Sequence, residues 1–226
     1  MIKIEEIYGE NYHFITEYPE NKYIEKTIAY ACKMSLDRQL IKMGRMEVYL
    51  RNGETYSFES WVTGSYCAQY GIQVSEDGRF IYVISDEKGL WCYTYKGELV
   101  WKTRYTSVSY VIPHPNHHIT CVTTTKLLIL DSNGKIIKQV PIYREGWCEP
   151  ASERMLVANT SETIIALFDS FSLDMLYKIS IKKLGLKSFF AADLSGDILT
   201  VKGRSFNCNG SIVTVKVDLK NDVSIV

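Results

Sequence analysis

The chain has 226 residues, 46% of them apolar and 23% charged, a composition that excludes a disordered segment and fits a folded globular protein with one sizeable core. Lys plus Arg and Asp plus Glu number 26 each, so no net field draws the protein toward nucleic acid, acidic membranes or strongly charged partners. No run approaches the roughly 18 apolar residues of a membrane helix.

The opening stretch MIKIEEIYGENYHFITEYPE lacks the basic-then-apolar layout of a secretory leader. A cytoplasmic protein without a membrane or nucleic-acid partner is expected. Residues 1–26 precede the repeated part of the chain, and KIEEIY or YHFITEY is a candidate ring-closing strand that would hide a sheet edge. An amphipathic helix across ENKYIEKTIAYACKM competes, with Ile24, Ile28 and Ala31 at helical spacing. The repeat register favours a strand over Thr27 to Met34.

The first repeat unit, 27–64, has Ser35-Leu36-Asp37 as its first turn, Met43-Gly44-Arg45 as its second, MEVYL as an alternating strand and Asn52-Gly53 as a hairpin turn. The second unit, 65–104, is the clearest. Within VSEDGRFIYVISDEKGLWCYTYKGELVWK, Ser75-Glu76-Asp77-Gly78 makes a tight turn, FIYVIS a β-rich run and GLWCYTY an alternating strand. Lys96-Gly97 then turns the chain back into ELVWK.

The third unit, 105–145, repeats this layout in IPHPNHHITCVTTTKLLILDSNGKIIKQV. Asn116 falls, to within one residue, at the place of Gly78, and asparagine also tolerates the left-handed region. Units at 146–185 and 186–226 follow with longer loops. Five units of about 40 residues, each with four short antiparallel strands, predict an all-β chain built as a small β-propeller.

The hairpin GLWCYTYKGELVW resembles the repeats of quinoprotein-type and tryptophan-aspartate propellers, with a Gly-led alternating strand, a Gly turn and a terminal Trp. The chain departs from that pattern in having no Trp-Asp dipeptide, and Trp101 alone fills the hairpin position. The resemblance implies a fold and leaves function to the surface residues.

Three of the four histidines, His114, His117 and His118, sit in the third unit's first turn. A tetrahedral zinc site needs convergent ligands, and no Cys or acid within the segment completes a set, so the histidines read as a structural turn and no metal or cofactor is expected. The six cysteines (32, 67, 92, 121, 148 and 208) are dispersed without a C-x-x-C pair and read as buried, reduced thiols.

No phosphate-loop, dinucleotide, nucleophile-elbow or zincin pattern occurs. A glycosidase would need two carboxylates near the axis, and the expected innermost strands offer Glu149 well inside with Asp193 at an edge. One carboxylate cannot divide the acid and base roles. No catalytic residue is therefore assigned.

In a four-stranded blade, the second-to-third turns and the connections to the next blade share one end. That end is expected to carry Arg45, Trp61, Tyr66, Arg104, Tyr105, Tyr143, Arg144, Trp147, Arg204 and Phe206, with Glu145 beside them. Tyr, Trp and Arg dominate binding hot spots because each covers a large area and also hydrogen-bonds or pairs with charge. Asp86, Glu87 and Glu162 keep the charge of that end mixed, which argues against a single-stranded nucleic-acid groove.

The sequence reading is thus a non-catalytic protein-binding module, monomeric or in a heterodimer. Its partner would be another protein, and a bacterial immunity protein that neutralises a cognate toxin fits the description. The alternative is a lectin-like propeller for carbohydrate or a small molecule.

Overall fold

The computed structural model describes residues 2–7, 11–32, 44–60, 71–85, 89–104, 108–143, 148–152, 154–206 and 210–221. Among them every regular element is a strand, and the strands form five sheets, each ordered as the chain runs. The first sheet holds β1 (Ile2–Ile7), β2 (Asn11–Glu17), β3 (Ile24–Cys32), β4 (Gly44–Leu50) and β5 (Thr55–Ser60). The second holds β6 (Ile72–Val74), β7 (Phe80–Ser85), β8 (Gly89–Thr94) and β9 (Leu99–Lys102).

The third sheet holds β10 (Val108–Pro113), β11 (Ile119–Thr123), β12 (Lys126–Leu130) and β13 (Ile136–Pro141). The fourth holds β14 (Cys148–Ser152), β15 (Met155–Ser161), β16 (Ile164–Asp169) and β17 (Met175–Ser180). The fifth has β18 (Leu186–Ser195), β19 (Ile198–Ser205) and β20 (Ile212–Asp218).

The chain divides into two compact units, 1–123 with 130–137, and 124–129 with 138–226. In the first, Ile24, Ala29, Met46 and Val48 of the first sheet pack on Ile72, Ile81, Val83 and Tyr93 of the second. In the second, Val157, Ile165, Leu167 and Ile179 of the fourth sheet pack on Phe189, Leu199, Val201 and Val217 of the fifth. Each buried Val, Leu, Ile, Met or Phe among them stabilises the fold by about 1.5–3 kcal/mol relative to exposure.

The sequence pattern explains these faces. In β4, Met46 and Val48 are fully buried while Arg45, Glu47 and Tyr49 take the opposite face, the period of two of a pleated strand. β12 and β16 read instead as apolar runs, LLIL and IIALF, since they are buried on both faces. Outer strands such as β9 and β13 are largely exposed.

The first sheet corrects the expected register. β3 lies in the middle of a five-stranded sheet, and β1 and β2 come from the part set aside as an extension. The helix alternative gives way to β3. Its preceding turn is 18–23, where Asn21 Oδ1 accepts the main-chain N–H of Tyr23 and Ile24. The Asp37 turn lies outside the described residues. The expected Met43-Gly44-Arg45 turn is also corrected, because Gly44 and Arg45 begin β4.

Two further corrections follow. Among the described residues the first sheet has five strands rather than four, and three strands of the fifth are described. In the third unit the left-handed residue is His117, with φ 62°, and not Asn116. His117 matches Gly78, with φ 67°, one residue later than the sequence alignment placed it.

Candidate interaction surface

In the second, third and fourth sheets one backbone device recurs at the end that carries the second-to-third turn. The outgoing connection begins by hydrogen-bonding back to its own sheet beside that turn. Thr103 donates its N–H to Leu90 O at 2.8 Å, Ile142 to Thr125 O at 2.9 Å and Ile181 to Thr163 O at 3.0 Å. Within each of these sheets the connection is thereby tied to the turn beside it.

Several predicted anchors stand on this frame. Arg104 follows Thr103 and is exposed. Tyr143 follows Ile142, is half-buried, and donates its N–H to Asn159 O on β15 at 2.8 Å. Phe206 closes β19, is 51% exposed, and donates its N–H to Gly185 O in the preceding connection at 3.1 Å. Arg204 is exposed within β19 rather than in a turn, which corrects its expected position. Trp61, Tyr66, Tyr105, Arg144, Glu145 and Trp147 lie outside the described residues.

Arg45 has a different setting from the one expected. Its guanidinium pairs with Glu47 at 3.0 Å and lies over the Tyr30 ring at 4.5 Å. The Glu47 carboxylate also accepts from the phenols of Tyr30 at 2.9 Å and Tyr49 at 2.8 Å. That hydrogen bond to a carboxylate, with lesser help from burial, pushes the Tyr49 phenol up to about 12. Arg45, Glu47 and Tyr49 share one face of β4 by alternation, whereas Tyr30 joins them only through the β3–β4 register.

The three clustered histidines are spent on local structure. His114 is buried, with Nε2 2.9 Å from Thr120 Oγ1. His117 Nε2 lies 3.5 Å from Asp77 Oδ2, and its ring meets Phe80 edge-on. His118 Nδ1 lies 3.1 Å from Asn116 Nδ2. Among the described residues no three metal-ligating side chains gather.

Cys92 and Cys121 are buried, and Cys148 is half-buried. Burial pushes the Cys92 thiol up to about 12, so it stays protonated and acts as a small apolar side chain.

Comparison with solved structures shows a propeller-type fold. BamB from Moraxella catarrhalis superposes with a TM-score of 0.53 at 10% identity, over 100% of this chain and 61% of that one. Sqt1 from Saccharomyces cerevisiae gives 0.53 at 11% identity, over 94% of this chain and 60% of that one. Both are β-propeller proteins, and the present chain spans about three fifths of the length of each. No protein-family model matches the chain, and no curated protein matches it in sequence.

Proposed function

We propose that the chain is a non-catalytic protein-binding module, a small propeller of five sheets that engages its partner at the end bearing the second-to-third turns and the connections. The observation that carries this reading is the frame around Tyr143 and Phe206. Both aromatics stand on backbone already held by main-chain hydrogen bonds. Little chain entropy is then lost on binding, which leaves more of the contact energy as affinity.

In its most specific form the partner is a toxin, and the chain is the immunity protein that neutralises it in a bacterial cytoplasm as a heterodimer. The mixed charge of that end supports a protein partner over nucleic acid. Calorimetry on the reconstituted complex tests the reading. Tyr143→Ala and Arg144→Ala are each expected to weaken binding by roughly 1–4 kcal/mol, and unchanged affinity in both would remove this end as the contact.

A further inference from the structure

Asparagine followed by glycine occurs at Asn52-Gly53, Asn133-Gly134 and Asn209-Gly210. The first two pairs fall in equivalent hairpin turns, between β4 and β5 of the first sheet and between β12 and β13 of the third. Asn209 lies outside the described residues.

The two turns share one backbone. Gly53 donates its N–H to Leu50 O and Gly134 to Asp131 O, both at 3.0 Å, and the glycines have φ 89° and 77°. Both asparagines are exposed. What holds each turn differs. In the third sheet Asp131 Oδ1 accepts the N–H of Asn133 at 2.8 Å and of Lys135 at 2.9 Å. The Trp101 indole donates to Ser132 O, and its ring lies over Gly134.

In the first sheet Leu50 stands where Asp131 stands and offers no side-chain acceptor, and Gly53 is exposed. Here Asn52 Oδ1 accepts the Glu54 N–H at 3.0 Å, an Asx turn that folds the carboxamide back along the Gly53 peptide.

We propose that Asn52 is a site of intramolecular deamidation, and that Trp101 and Asp131 protect Asn133 from the same reaction. The Gly53 nitrogen gives its proton to solvent base and attacks Asn52 Cγ. A five-membered imide forms as the Cγ–Nδ2 bond breaks and the side-chain nitrogen leaves as ammonia. Water then opens either carbonyl of the imide, giving aspartate or isoaspartate at this position. The Glu54 N–H lies on the oxygen that gathers negative charge during the attack. Gly53 has no Cβ to crowd the closing ring, and its freedom in φ lets the turn reach the ring geometry once the bond to Leu50 opens. Opening the Asn133 turn breaks the Asp131 and Trp101 bonds as well.

Isoaspartate lengthens the main chain by a methylene inside the hairpin. Arg51, the preceding residue, donates its N–H to Tyr23 O at 2.9 Å, and its guanidinium to Asn21 O at 2.7 Å and Tyr18 O at 2.8 Å. The modification therefore loosens the tie between this turn and the turn at 18–23. This chemistry goes beyond the protein-binding reading and is independent of it.

Peptide mapping by mass spectrometry of the full chain, aged at mildly alkaline pH, tests the proposal. Position 52 is expected to convert at least about tenfold faster than position 133, to a mixture of isoaspartate and aspartate, because fewer bonds must open first. In urea the two positions are expected to convert at equal rates. Gly53→Ala is expected to slow conversion at position 52, and Trp101→Ala to speed it at position 133. Trp101→Phe, which keeps a ring and loses only the indole donor, is expected to do so to a smaller extent.

Equal rates in the folded chain would overturn the proposal. A difference that persists unchanged in urea would also overturn it, since neighbouring residues in the sequence and not the fold would then set the rates. Conversion to aspartate alone would rule out the imide.

Discussion

The indole Nε1 of Trp101 donates to the main-chain oxygen of Ser132 at 2.8 Å, tying the outer strand of the second sheet to a turn of the third. Gly134 lies under the same ring. A Cβ there would sit 2.8 Å from the indole, at a φ of 77°. One sheet earlier Phe58 of β5 covers Gly97 in the same way, with φ 92° and 2.5 Å to the ring. The glycine turns of the repeat are thus seats for aromatic side chains from the preceding sheet.

Gly134→Ala and Gly97→Ala are expected to cost about 2 kcal/mol each, from the left-handed backbone and the clash together. Gly53, with φ 89° and nothing within 4 Å of an added Cβ, is the control, and its alanine variant is expected to cost about 1 kcal/mol. Urea midpoints measure all three. Equal losses would show that the aromatic seats contribute nothing.

A second glycine effect is independent of φ. An alanine at Gly203 on β19 would press its Cβ into the main-chain oxygen of Ser188 on the neighbouring strand. Backbone cannot step aside as a side-chain tip can, so Gly203→Ala is expected to destabilise by at least about 2 kcal/mol. Gly196→Ala, at an open turn with φ 60°, is expected to cost less. Thermal unfolding ranks the pair.

His117 holds a left-handed backbone with φ 62°. His117→Asn is expected to keep stability within about 1 kcal/mol, because asparagine tolerates that region, whereas His117→Val is expected to lose about 1–2 kcal/mol. Denaturant titration separates the two. A large loss in the asparagine variant would give the imidazole, through Asp77, a greater role than the backbone.

Asp169 contributes to the acid limb, as do Asp131, Asp174 and Asp218, whose carboxyls are also held low. Burial works to raise the Asp169 pKa, but the N–H groups of Ser172 and Phe171 and the Arg154 guanidinium prevail and hold it below the usual carboxylate range. A lowered folded pKa means that its contribution is present above the unfolded value and lost as pH falls through the folded one, below about pH 4. Asp169→Asn is expected to flatten the stability profile there. An unchanged acid slope in the variant would contradict this.

Much of the fold was legible in the turns. Gly78, Gly97 and Gly134 all have the positive φ that their positions in the repeat required, and Trp101 stands where the hairpin pattern put it. The first sheet was misregistered because its entry turn has no glycine. Pro19 and Asn21 carry it, and the side chain of Asn21 does the capping. The placing of Tyr30 beside Arg45 and Glu47, and of Lys216 on the face of Lys202 and Arg204, depends on cross-strand register. Alternation within one strand cannot reveal that register.

The most direct test of the protein-binding account is affinity capture from the native host with three baits: the chain itself, an Arg104/Tyr143/Arg144 triple-alanine variant, and a variant altered only at Asn133 and Lys135 on the opposite end of the third sheet. The account predicts one stoichiometric protein on the first and third baits and its loss from the second. Retention of that protein by the triple-alanine bait, or capture of none by the chain itself, would contradict it.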